Sequence, residues 1–167
     1  VINESIRLNE EGRDSQMAIE TSGHCAFKEN YFLDDGAYLV TKILIEFAKI
    51  AEEGKTVGDL IAGLKEPLED DEFRVKIHQE DFKAYGNKVL EEFEEYVQRQ
   101  PGWTKVTPNY EGVRVDCKEE EGWVLIRLSL HDPVMAINSE SDRKGGCAAI
   151  KEKMTAFLNT YDQLSMS

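Results

Sequence analysis

Gly112-Val113-Arg114-Val115-Asp116-Cys117 and Gly122-Trp123-Val124-Leu125-Ile126-Arg127-Leu128 are two apolar, β-branched runs separated by Lys118-Glu119-Glu120-Glu121. So short a polar link joins only antiparallel neighbours, so residues 112–128 predict a β-hairpin with an acidic turn from Lys118 to Gly122. Working outward, Val134 to Asn138 reads as a further strand. Upstream, Phe73, Val75 and Ile77 alternate with Arg74, Lys76 and His78, the period-2 pattern of a half-buried strand. Between these runs Phe82, Tyr85, Val89, Leu90, Phe93 and Val97 recur at helical spacing until Pro101-Gly102 stops them. Ile150, Met154, Phe157, Leu158 and Tyr161 form the stripe of a last helix. The order strand, helix, three strands, helix predicts a four-stranded antiparallel sheet with two helices on one face.

The N-terminal part is patterned differently. Met17-Ala18-Ile19 suits a short buried strand, and it runs into the polar loop Glu20-Thr21-Ser22-Gly23-His24. After Asp34-Asp35-Gly36, the stretch Ala37 to Ile50 is apolar on nearly every side, which predicts a helix buried on most faces with Asp35 as its N-cap. Thr56 can cap a short amphipathic helix running to Leu64. One strand and one such helix cannot cover each other in about 65 residues, because a lone strand leaves its backbone unpaired and small units bury little surface. Residues 1–65 therefore read as part of a larger α/β domain. Pro67 amid Glu66, Glu69, Asp70 and Asp71 makes residues 66–71 the linker, and residues 72–167 the second domain. The fold class is α/β (α+β).

The chain has 167 residues, 41% of them hydrophobic, enough for a packed core. Its formal net charge of −13 argues against nucleic acid or an anionic membrane as partner, since the mean field repels polyanions. Any phosphate site must work through local donors. Cys25, Cys117 and Cys147 are far apart and odd in number, which fits reduced thiols in the cytoplasm and no disulfide framework. No stretch reaches the ~18 apolar residues of a membrane span, and no signal pattern opens the chain. The first residue is Val1, which fits a processed chain or a piece of a longer one.

Two constellations carry chemistry. In the first, Glu20 can accept hydrogen bonds from two neighbouring sugar hydroxyls, Ser22 can donate or accept beside it, and Gly23 permits close approach to backbone. His24 suits proton transfer or a phosphate contact. Taken alone, this segment is a weak signal and reads first as a strand-to-loop turn whose polar groups bond locally. In the second, Arg127 offers a planar fork to two phosphate oxygens, Ser129 a hydroxyl, His131 a possible cation, and the turn amides an anion nest stiffened by Pro133. Here the plain alternative is a surface turn with an Arg127–Asp132 ion pair, worth under ~1 kcal/mol. Asp34 and Asp35 are too few for a metal site and fit a helix cap better, so no metal site is expected. The acidic runs Glu91–Glu95 and Glu119–Glu121 read as solvated faces, and Gly145-Gly146 lacks a nucleotide-binding arrangement.

Taken together, Ile19-Glu20-Thr21-Ser22-Gly23-His24, Phe27-Lys28-Glu29-Asn30 and Asp34-Asp35-Gly36-Ala37-Tyr38 resemble the sugar-binding loop and following helix in the third domain of α-D-phosphohexomutases. Gly112-Val113-Arg114-Val115 and Gly122 to Ser129 resemble the run into the phosphate-binding loop of that family's fourth domain. The resemblance implies a phosphoglucomutase or phosphomannomutase, an isomerase of carbohydrate metabolism that interconverts hexose 1- and 6-phosphates through a phosphoserine and a bisphosphorylated intermediate. It implies that Glu20 and Ser22 hold sugar hydroxyls, that His24 assists proton transfer, and that Arg127, Ser129 and His131 grip the phosphate. It further implies Mg2+ in the parent enzyme, bound outside this chain, because neither a phosphoserine loop nor an aspartate-rich metal loop occurs here. Leu130 and His131 depart from the family's usual Asn or Gly followed by Thr, and no arginine stands near Asn138 to Glu140. On this reading residues 1–65 are the C-terminal half of domain 3, residues 72–167 are domain 4, and the chain is a fragment without mutase activity of its own. Its partners are a hexose phosphate and the missing N-terminal domains. A free-standing carbohydrate- or anion-binding module and a small hydrolase using His24 and His131 are the competing readings.

Overall fold

A computed structural model describes residues 1–20 and 22–166, and divides the chain into two compact units, Val1–Leu64 and Lys65–Ser167. In the first unit, α1 (Ile2–Glu10) precedes an antiparallel pair, β1 (Met17–Ile19) and β2 (Cys25–Phe27), in register Ile19↔Cys25. A single 3-10 turn, Lys28–Asn30, leads to α2 (Gly36–Glu52) and the short α3 (Val57–Leu60). Asp35 caps α2 by accepting the Tyr38 N–H at 3.0 Å. Asp59 and Thr56 form a capping box at α3, and the mutual bonds hold the Asp59 carboxyl below its ordinary range.

Two expectations for this unit fail. β1 is a strand, but Met17 and Ile19 are exposed and Ala18 alone of the three is buried. Of α2, Ile50 is the buried residue, while Val40, Ile43, Leu44, Ile45 and Phe47 are all exposed. The reason is quantity. A two-strand hairpin and two small helices offer too little surface to cover a seventeen-residue apolar helix. Near its start α2 does find a partner, since Tyr38 meets Phe27 edge to face at 5.5 Å.

The second unit is a fully antiparallel sheet. β3 (Glu69–Ile77), α4 (Phe82–Gln98), β4 (Trp103–Lys105), β5 (Val113–Cys117), β6 (Gly122–Leu128), β7 (Val134–Ser141), α5 (Gly146–Leu158) and β8 (Leu164–Met166) follow in chain order, with sheet order β4-β5-β6-β7-β3-β8. The expected four strands form the centre, and short edge strands raise the count to six. Val75, Ile77, Val113, Val115, Val124, Ile126, Met135 and Ile137 face α4 and α5, where Val89, Phe93, Val97, Ile150, Met154 and Phe157 complete the core. A fully buried side chain of this size contributes about 1.5–3 kcal/mol. The alternate positions, Arg114, Trp123, Leu125, Arg127, Ala136 and Asn138, line the other face, half-buried or exposed.

Two further readings need correction. Glu69–Asp71, expected in the linker, belong to β3 and pair with Ser139–Ser141. Their carboxylates are used: Glu69 accepts the Gly145 N–H at 2.6 Å and the Cys147 N–H at 3.2 Å at the start of α5, and Asp71 pairs with Lys151 at 2.8 Å. Glu120 is not on a solvated face. It is buried, with Lys153 Nζ at 2.6 Å on one oxygen and Trp103 Nε1 at 3.2 Å on the other.

Candidate functional site

The sugar-loop residues sit on the tip of the β1–β2 hairpin. The Glu20 N–H donates to the His24 carbonyl and the Gly23 N–H to the Glu20 carbonyl, both at 2.9 Å, which closes the turn. Gly23 has φ +91°, a conformation that disfavours any residue with a Cβ, so glycine is required where the chain reverses. The Ser22 hydroxyl donates to Glu20 Oε2 at 3.4 Å, and Glu20, Ser22 and His24 are all exposed. Thr21, part of the same motif, lies outside the described residues. The hairpin thus gathers the three expected side chains at one tip.

His24 has a partner that spacing alone did not reveal. Its Nδ1–H donates to Asp34 Oδ2 at 2.7 Å, the tautomer following from a carboxylate that only accepts. Asp34 Oδ1 in turn accepts the Cys25 N–H at 3.3 Å, and Asp34 bridges to Ala26 across the backbone. The carboxylate is therefore anchored to β2 and fixes the imidazole by its Nδ1, so that Nε2 is the ring nitrogen not bonded to Asp34. Asp34 lies ten positions from His24 in the chain, and the bridge of Ala26 with Asp34 and the Asp35 N–H donated to the Cys25 carbonyl at 3.1 Å bring the two together.

In the second unit Arg127 lies near the end of β6 on the face away from the helices, opposite Ala136 of β7. Beyond it the Ser129 N–H donates to the Val134 carbonyl at 2.9 Å and closes the turn from 129 to 134. The Ser129 hydroxyl accepts the His131 N–H at 3.4 Å and the Asp132 N–H at 3.2 Å. The turn amides expected to form an anion nest are thus engaged by a side-chain oxygen. His131 and Asp132 are exposed. Arg127 pairs not with Asp132, the partner the plain reading offered, but with Glu111, Nη1 to Oε1 at 3.2 Å. A hollow between α4 and α5, lined by Glu92, Tyr96, Arg99, Phe157 and Tyr161, contains none of Arg127, Ser129 or His131.

Among the described residues no group of three or more His, Cys, Asp or Glu is placed to hold a metal ion. No helix among the described residues is long and apolar enough to cross a membrane.

No family model matches the chain. It is 31% identical over 127 residues to a phosphomannomutase/phosphoglucomutase of Pseudomonas syringae pv. tomato, covering 75% of this chain and 25% of that protein. A protein of the same name from Pseudomonas putida is 27% identical over 155 residues, covering 91% of this chain and 31% of the relative. A phosphoglucomutase of Neisseria gonorrhoeae is 24% identical over 149 residues, 89% of this chain and 30% of the relative. Among solved structures, a phosphoglucomutase/phosphomannomutase family protein of Burkholderia thailandensis superposes with TM-score 0.68 at 24% identity, over 94% of this chain and 30% of that one, a likeness of fold. The chain spans about a quarter to a third of the length of these relatives.

Proposed function

The chain belongs to the phosphoglucomutase/phosphomannomutase family, and on that premise we propose that it is the substrate-holding C-terminal portion of such an enzyme, inactive by itself. The whole protein moves a phosphoryl group between the 1- and 6-positions of a hexose, through a phosphoserine supplied from outside this chain and a bisphosphorylated intermediate. This chain's residues bind and orient. Glu20 and Ser22 accept and donate to sugar hydroxyls, His24 moves a proton at Nε2 with Asp34 fixing its ring, and Arg127, Ser129 and His131 take the phosphate. Mg2+ belongs to the parts this chain lacks, as does the rest of the apolar layer that α2 needs. The exposed side chains of α2 support the reading of a portion rather than a free-standing module, since a helix apolar all round is normally buried.

The observation that carries the proposal is the pair of built turns. Glu20, Ser22 and His24 share one hairpin tip, and Arg127 lies near the end of the strand that leads into the turn carrying Ser129 and His131, which supports the reading. Titration of the chain with glucose 1-phosphate tests it. Arg127→Ala weakens binding by about 1.5–3 kcal/mol, the range for a charge-assisted contact. Superimposable curves for the two proteins remove Arg127 from the site. Mutase turnover by the purified chain overturns the assignment of catalysis to missing parts.

A further inference from the structure

Arg127 already has an anion. Glu111 Oε1 stands 3.2 Å from its Nη1, and the segment that presents Glu111 is fixed rather than loose. The Val106 N–H donates to the Arg114 carbonyl at 2.9 Å, closing the loop from 106 to 114. Inside the loop, Asn109 Nδ2 donates to the carbonyls of Glu111 at 3.1 Å and Gly112 at 2.8 Å. Gly112 follows at φ +61°, so close to β6 that an added Cβ would lie 2.1 Å from the Ile126 carbonyl oxygen and 2.9 Å from the Arg127 Cα. The backbone next to Glu111 is therefore pressed onto the strand that carries Arg127, and the carboxylate is delivered to that guanidinium.

The same turn shows a second substitution of this kind. The Ser129 hydroxyl holds the His131 and Asp132 amides, so both donor sets offered to a phosphate are engaged by the chain's own oxygens. Around Arg127 the cross-strand neighbour is Ala136 and the next position on its face is Leu125, neither of which brings charge. Glu111 is the carboxylate paired with the guanidinium.

We propose that Glu111 is an internal competitor of the phosphate subsite: it occupies Arg127 in the absence of ligand and must swing away for a phosphate dianion to bind. The inference rests on the phosphate role assigned above to Arg127. An exposed pair of this kind is weak by itself, so a dianion with two negative charges on the same fork displaces it. The residual carboxylate nearby still opposes the ligand, in addition to the net charge of −13. Glu111 thereby sets the affinity low.

The test is a titration of the full chain with inorganic phosphate at pH 7.5 and constant ionic strength, following the Ser129, His131 and Asp132 amides by NMR. Glu111→Gln, a conservative change at an exposed side chain, binds phosphate about three- to tenfold more tightly than the parent. Combined with Arg127→Ala, the gain disappears. Glu111→Ala gives the same gain as Glu111→Gln. Equal or weaker binding by Glu111→Gln, with Arg127→Ala still impaired, overturns the competitor and leaves the phosphate site standing. Binding unchanged by Arg127→Ala, or absent from both parent and Glu111→Gln, overturns the two together.

Discussion

Glu120 is 2% exposed and Trp103 6%, whereas the Lys153 side chain is 28% exposed. Replacing Glu120 by alanine removes the acceptor of both Lys153 Nζ, at 2.6 Å, and Trp103 Nε1, at 3.2 Å. Breaking a buried pair from one side costs about 3–5 kcal/mol when the remaining charge is trapped. Here Lys153 is not fully trapped and can turn to water. The indole N–H cannot, and an unsatisfied buried donor costs about 1–3 kcal/mol. Lost packing against Trp103 adds to this, so the expected total is about 3 kcal/mol, at the low end of the range. For a unit the size of Lys65–Ser167 that is a fall in Tm of about 12–24 °C. Urea denaturation followed by circular dichroism should show a lower midpoint at unchanged slope. Lys153→Met strands the carboxylate instead and should cost at least as much, and the double variant should cost less than the sum. A loss below about 0.5 kcal/mol for Glu120→Ala would mean that water reaches the carboxylate, and the burial argument would be wrong.

Cys117 is fully buried, and burial above all pushes its thiol from 9.0 up to about 12. The unfolded chain releases that proton near pH 9 while the folded one keeps it, so stability is intact below pH 9 and falls as pH rises towards 12. Urea midpoints between pH 8 and 11 should decline less steeply in Cys117→Ala than in the parent, and parallel declines would exclude the thiol as a source. At Gly112, alanine has neither the backbone conformation nor the room, given the Ile126 carbonyl oxygen at 2.1 Å. Gly112→Ala should destabilise by about 2–4 kcal/mol and shift the Arg127 amide resonance, and a stable variant with an unmoved resonance would show that the loop is not pressed onto β6.

The central sheet was legible because alternation reports directly which side chains a sheet buries, as at Val113, Val115, Val124 and Ile126. The edges were not. β4 and β8 have three residues each, too few for a period to register, and they exist because β5 and β3 present open backbone rows beside them. Glu69–Asp71 misled for a different reason. Clustered acidic residues disfavour a strand locally, yet here the cost is met by the α5 N-terminus and Lys151, groups more than seventy-five positions away in the chain. Glu120 follows the same logic: its neighbours in sequence are solvated glutamates, but its neighbours in space are Trp103 and Lys153.

The candidate site divides along that line. Its donors and acceptors, Glu20, Ser22, His24, Arg127, Ser129 and His131, come from contiguous turns, so local sequence was enough to nominate them. What tunes them is not contiguous. Asp34 reaches His24 through the bridge to Ala26, and Glu111 reaches Arg127 through the antiparallel register of β5 with β6. Each is one more carboxylate in a chain with 33 of them, indistinguishable by composition from those that only face solvent. Register converts such a residue into a partner, and the two contacts engage different groups. The carboxylate of Asp34 holds an imidazole at Nδ1, whereas that of Glu111 holds a guanidinium at Nη1. If the proposed roles hold, the first contact orders a reacting ring and the second competes with a ligand, and pairing geometry decides which.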